Sequence, residues 1–133
     1  MDYALTPFIA WLFAGSLKFA INYIRHGKKA KALIGYGGLP SNHSAIVSST
    51  AALIALKHGI DTPAFGVALT LCFIVMMDAM SLRCELGKHA ERLNKMSRDQ
   101  KFRERLGHRP HEVLAGIVVG IFTAFVVFST VNP

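Results

Sequence analysis

Gly37-Gly38-Leu39-Pro40-Ser41-Asn42-His43-Ser44 is a glycine pair, a proline and then small hydroxyl and amide residues around a histidine, and residues 45–56 behind it are apolar. Glycine, proline and serine at a helix start leave backbone N–H groups where an anion can sit. A histidine in the same turn adds a group that gives or takes a proton near neutral pH. The same logic returns in Gly107-His108-Arg109-Pro110-His111-Glu112-Val113, again ahead of an apolar run. The architecture follows from these two turns: apolar helices, entered through polar mouths that carry chemistry.

Outward from them, the chain divides into apolar blocks with charges between. Hydrophobic residues make up 52% and charged residues 17% of the 133, and the mean hydropathy is +0.37. Such segregation is the layout of a membrane protein rather than of a mixed globular one. The length suits a single domain over 1–133. Cys72 and Cys84 form neither a disulfide framework nor a metal site. The net charge of +7, carried in loops beside apolar blocks, points to a membrane surface and not to nucleic acid.

Residues 5–24 approach the ~20 needed to cross a bilayer core, interrupted by Lys18 and Asn22. No small-residue cleavage site follows, so the block does not read as a cleaved signal. A lysine in a span either faces protein interior or water, or snorkels to the headgroups. Residues 45–56 are short, and span only if 40–44 already belong to the helix. Their small residues, among them Ser44, Ala45, Ser48 and Ala51, favour close packing. Pro63 suits the first position of a third block, 64–80. That block ends at Asp78, which pairs with Arg83 or Lys18 or faces water. In 82–100, Leu86, Ala90, Leu93 and Met96 recur at helical spacing, which predicts an amphipathic helix on the membrane surface or against the bundle. Residues 99–105 read as a charged linker. Pro110 opens the last block, 113–131, where Gly116 and Gly120 mark a packing face rather than a site. The expected fold is an all-α integral membrane protein, a bundle of four transmembrane helices with an amphipathic cytoplasmic helix between spans three and four.

Thirteen of the fifteen lysines and arginines fall between spans one and two or between spans three and four. The positive-inside rule places both loops in the cytoplasm. His43, Arg83 and His108 then share one face, with Lys18 one to two turns below. Two histidines, an arginine, a lysine and open helix N-termini suit a phosphate ester. Arg and Lys neutralise its oxygens, and backbone N–H groups near Gly38 and Ser41 complete the cradle. One histidine can attack phosphorus while the other protonates the leaving oxygen. Glu112, four residues after His108, can hold the second imidazole N–H and fix the tautomer. No metal or other cofactor is required. Taken singly, His43 could be a helix-start hydrogen-bonding residue and His108 an interfacial one; His26, His58, His89 and His111 lie in polar stretches and read as solvated.

The chain resembles the divergent PAP2 family, a membrane branch related to type 2 phosphatidic acid phosphatases and vanadium haloperoxidases. The likeness covers nearly the full length. It is carried by Lys18, by residues 37–45, by Asp78 to Arg83, by Gly87 to Asn94 and by Gly-His-Arg-Pro-His-Glu-Val-Leu-Ala-Gly at 107–116. The resemblance implies His108 as nucleophile, His43 as acid on the leaving group, and Glu112 in the orienting position. It implies Lys18, Ser41 and Arg83 on the phosphate.

The function expected is a membrane lipid phosphatase, cleaving a phosphomonoester or diphosphate of a phospholipid or polyprenyl lipid at the cytoplasmic face of a bacterial inner membrane. The alternatives are a non-catalytic protein that holds an anionic lipid headgroup, and a transporter subunit or assembly scaffold. Four short spans make a thin bundle, for which a homodimer is one option.

Overall fold

The computed structural model describes residues 1–33, 38–97 and 102–131, which form helices and connecting segments with no strand among them. Helix α1 is Asp2–His26 and runs into a 3₁₀ segment, Gly27–Leu33. Helices α2, Asn42–His58, and α3, Pro63–Met80, follow. Helix α4, Leu82–Met96, continues from α3 after a break at Ser81, and α5 is Pro110–Val131. Local chemistry sets these limits. The Thr62 hydroxyl accepts the Phe65 N–H at 3.2 Å ahead of Pro63, a side-chain cap before a first-position proline. Gly59, at φ 84°, ends α2 and returns its N–H to the Ala55 carbonyl at 2.9 Å, a conformation glycine adopts without a Cβ penalty.

Helix α2 occupies the middle of the bundle, against α1, α3 and α5. Its buried residues are mostly small: Ser44, Ala45, Ser48, Ser49 and Ala51. The small residues let α5 come close, as the spacing of Gly116 and Gly120 predicts. A Cβ at Gly116 would lie 2.4 Å from the Ser41 carbonyl oxygen, and one at Gly120 would lie 2.6 Å from that of Ala45. Ala51 packs with Ala68 and Cys72 on the α3 side. Leu53 packs with Ala124 and Val127 on the α5 side.

Among the described residues, three stretches are long and apolar enough to cross a membrane: Asp2–Ala32, Pro63–Met96 and Pro110–Val131. Helix α2 is not among them. Pro40 and Ser41 stay outside it, because Ser41 serves as its N-cap, accepting the Ser44 N–H at 3.3 Å. Its 17 residues reach about 25 Å at 1.5 Å per residue, short of the ~30 Å of a hydrocarbon core. Large apolar side chains such as Phe8, Phe73, Ile74 and Phe125 stand more than half exposed on the outer faces. Water does not favour such a surface and lipid does; the chain is a membrane protein.

The sequence leaves the apolar stripe of α4 on the membrane surface or against the bundle; in the structure Leu86, Leu93 and Met96 are exposed, while Ala90 of the same stripe is buried beside Gly87. Residues 98–100, which the sequence assigns to this helix, lie outside the described residues. The following segment is no free linker from Phe102 onward. The Asn94 amide donates to the Phe102 carbonyl at 2.9 Å and accepts its N–H at 2.7 Å. A Cβ at Gly87 would lie 2.2 Å from the Glu104 carbonyl oxygen, and one at Gly107 would lie 2.9 Å from Cys84 Cα. Residues 102–107 therefore run back along α4 in tight contact and deliver His108, whose N–H bonds the Ala79 carbonyl at 3.0 Å. Among the described residues, α1 makes no close backbone approach to α3 or α4; Trp11 and Lys18 of α1 and Leu82 and Leu86 of α4 line one cavity instead.

Candidate active site

Trp11, Gly15, Lys18 and Asn22 follow one another at spacings of four, three and four, the repeat of a single helical face. That face of α1 forms one wall of a cavity of about 970 Å³. The start of α2 supplies Asn42 and His43, the α3–α4 junction supplies Asp78 and Arg83, and His108 closes the ring.

His108 is buried and held from behind. Its Nδ1 lies 3.1 Å from Glu112 Oε2, and the Arg109 N–H donates to the same oxygen at 3.1 Å. A carboxylate only accepts, so Nδ1 carries the proton and Nε2 keeps its lone pair. Burial pushes this imidazole below the usual 6.5; the Glu112 hydrogen bond pulls it back up, and the charges of Lys18 and Arg83 push it down. Both His-bearing turns are joined here, since the Ser41 N–H donates to the Glu112 carbonyl at 2.9 Å.

His43 is held from the other side. Arg83 donates from Nε to Asp78 Oδ2 at 2.7 Å and from Nη1 to His43 Nε2 at 3.2 Å. Guanidinium cannot accept, so His43 Nε2 is the acceptor. The two imidazole centroids stand 6.4 Å apart at 61°. Buried His43 Nδ1 and Asn42 Oδ1 have no hydrogen-bond partner among the described residues. Polar atoms in such positions call for a partner, either an ordered water or a bound group. Lys18 also lines the cavity and makes no hydrogen bond or ion pair with a described residue.

Of the residues singled out in the sequence, Lys18, His43, Asp78, Arg83 and His108 line this one cavity, with Glu112 behind His108. Asp78 pairs with Arg83, one of its two expected partners. Gly38 and Ser41 do not join them. The Ser41 hydroxyl is fully buried and occupied by the Ser44 N–H and hydroxyl. Gly38 lines a second cavity, and Gly37 lies outside the described residues. Asn42 and the apolar wall of Trp11, Leu12, Phe19, Leu82 and Leu86 were not singled out. The α1 part of the wall could have been found from the repeat through Lys18, whereas Leu82 and Leu86 stand on α4 and Asn42 gives no signal beyond its place beside His43. No three His, Cys, Asp or Glu side chains gather as metal ligands among the described residues.

A bare imidazole lone pair, a second imidazole within one phosphoryl group's reach, and two cations form a set able to transfer a phosphoryl group. Comparison with known proteins agrees on the lineage. A family model described as the divergent PAP2 family matches residues 2–123. The uncharacterized membrane protein YuiD of Bacillus subtilis (strain 168) is 32% identical, over 92% of this chain and 90% of its own length. No solved structure matches. On both counts the chain belongs to the divergent PAP2 family.

Proposed function

We propose that the protein is a membrane lipid phosphatase that cleaves a phosphomonoester or diphosphate through a phosphohistidine on His108. The observation that carries this reading is the His108–Glu112 pair, which leaves Nε2 bare toward a cavity also lined by Lys18, Arg83 and His43. Lys18 and the Nη donors of Arg83 hold the phosphoryl oxygens. Nε2 of His108 attacks phosphorus, and the P–O bond to the lipid breaks with its electron pair on the lipid oxygen. Once Arg83 Nη1 has turned from His43 Nε2 onto the phosphoryl oxygens, that nitrogen is free to take up a proton, and His43, then an imidazolium, gives the lipid oxygen its proton. Water then attacks phosphorus and gives a proton back to His43; the N–P bond breaks, its electron pair returns to Nε2, and inorganic phosphate leaves.

The apolar wall of the cavity between α1 and α4 suits a lipid, its chains against Trp11, Phe19 and Leu86. Helices α1, α2, α3 and α5 serve as the four spans, the short α2 being covered by its neighbours. Helix α4 lies at the cytoplasmic surface with Leu86, Leu93 and Met96 toward lipid, and the cavity opens on that basic side of a bacterial inner membrane.

Purified protein should release phosphate from phosphatidylglycerophosphate, a polyprenyl phosphate or a polyprenyl diphosphate, and vanadate should block the release. If none of these lipids yields phosphate and His108→Ala matches the wild type, the reading fails. Stoichiometric lipid binding without release would instead mark a non-catalytic lipid-holding protein.

A further inference from the structure

A second cavity, of about 580 Å³, lies beside the first and shares Asn22 with it. On α1 the first cavity is lined between Trp11 and Asn22, the second between Ile21 and His26. The centres of these two stretches are about two helical turns apart, ~11 Å, with the second on the side of the basic rim. Arg25, Lys29, Arg105 and Arg109 line it, together with His26 and His111. These come from α1, the 3₁₀ segment, the return along α4 and the mouth of α5, so the fold gathers them from four places. Among the described residues, Glu112 is the one carboxylate in the lining, and its side chain is already bonded to His108 and to the Arg109 N–H. None of the four permanent cations lies within ion-pair distance of a carboxylate among the described residues, although Arg105 and Glu112 sense each other's charge. Cations that merely cover a surface spread apart, because like charges repel. Four around one concavity, without acidic partners, leave a positive well that an anion must balance. The guanidinium groups give it the planar donor geometry that matches phosphate oxygens.

We propose that this second cavity binds a phosphate group other than the one held by His43 and His108. The chemistry has two sources at that depth: the headgroup phosphodiester of an anionic lipid, and free inorganic phosphate on the aqueous side. The site does not depend on turnover, so it stands or falls separately from the phosphatase reading.

The test compares wild type, Arg25→Gln/Lys29→Gln and Lys18→Gln in nanodiscs. One arm titrates inorganic phosphate into nanodiscs of purely zwitterionic lipid and counts the sites. The other uses nanodiscs containing phosphatidylglycerol and measures by native mass spectrometry how much of it each protein retains. The double variant should bind at least tenfold more weakly in one arm, and Lys18→Gln should keep that binding. Loss in the phosphate arm assigns the free anion, and loss in the lipid arm assigns the headgroup. The altered side chains are exposed, and an unchanged melting temperature will show that the variant folds. Binding by the double variant within twofold of wild type in both arms overturns the proposal, as does equal weakening by Lys18→Gln. Absence of phosphate release from any lipid would sink the phosphatase reading and leave this result untouched.

Discussion

The two ends of the α1–α2 pair hold nearly the same inventory and do different things with it. At the end away from the cavity, Lys57 pairs with Asp2 and stands 5.1 Å above the Tyr3 ring. The Tyr3 hydroxyl and His58 Nε2 share a hydrogen bond at 2.5 Å, with the rings stacked at 5.8 Å. That end has a histidine, a cation and a carboxylate, as the other does. There, however, the contacts close on themselves, and Tyr3 and His58 are exposed. At the cavity end the contacts are one-sided. Glu112 takes one nitrogen of His108 and leaves the other, and Arg83 takes one nitrogen of His43 and leaves Nδ1 unpartnered. A site is therefore made by what the supporting contacts leave over inside a concavity, not by which residue types are present.

The largest expected effect sets the two ends against each other. His108→Ala should lower phosphate release by at least about 10³-fold, and His43→Ala by about 10²–10⁴-fold. His58→Ala should stay within about twofold of wild type. Comparable losses from all three would erase the distinction.

Next in size is Glu112→Gln, expected to cost about 10²-fold or more in rate by loosening the tautomer. Its pH profile carries more information than its rate. The nucleophile must be neutral, and burial lowers the His108 pKa, so the acid limb of the wild type should fall below pH 6.5. Glu112 raises that pKa. Removing its charge should therefore move the limb to still lower pH while the plateau drops. A limb that moves upward would show that Glu112 does not act on His108 as an anion.

A smaller effect belongs to packing. Gly120→Ala would push a methyl group against the Ala45 carbonyl and the Ser48 hydroxyl. Overpacking of that kind costs about 1–3 kcal/mol, read as a lower melting temperature in detergent. Intact stability would mean that α2 and α5 can part easily, and that the fixed geometry at the cavity end needs another cause.

The elements at both ends were readable in sequence for a local reason. Thr62-Pro63, Gly59 and Pro110 are punctuation that works within one turn, and the small-residue faces of α2 and α5 recur at helical spacing. The pairing of His108 with Glu112 was readable too, because four residues is one helical turn. What escaped depends on which residue takes a helix cap and on contacts remote in sequence. Ser41 looks like a phosphate ligand until its cap bond with Ser44 and the nearby Gly116 backbone bury it. The route from α4 back to His108 rests on Asn94 meeting Phe102 and Gly87 meeting Glu104, and no periodicity announces such pairs. The length of α2 turned on whether Pro40 and Ser41 were helical, a question its cap decides.

The smallest effect is the most discriminating for the closed end. Asp2→Asn removes the charge that Lys57 faces but keeps an amide of similar shape. The Asp2 carbonyl still accepts the Thr6 hydroxyl at 2.7 Å, so the first turn of α1 keeps that tie, and Lys57 keeps the Tyr3 ring. The pair is only partly buried, with side chains 16% and 24% exposed, so water still screens it in part, and holding two side chains still offsets part of what remains. Melting should shift by no more than a few degrees, and phosphate release should not change. Lys18 sits sixteen residues along the same helix, ~24 Å away at 1.5 Å per residue. A tenfold loss of release in Asp2→Asn would therefore have to travel the length of α1, and would mean that the two ends are one mechanical unit rather than a brace and a site.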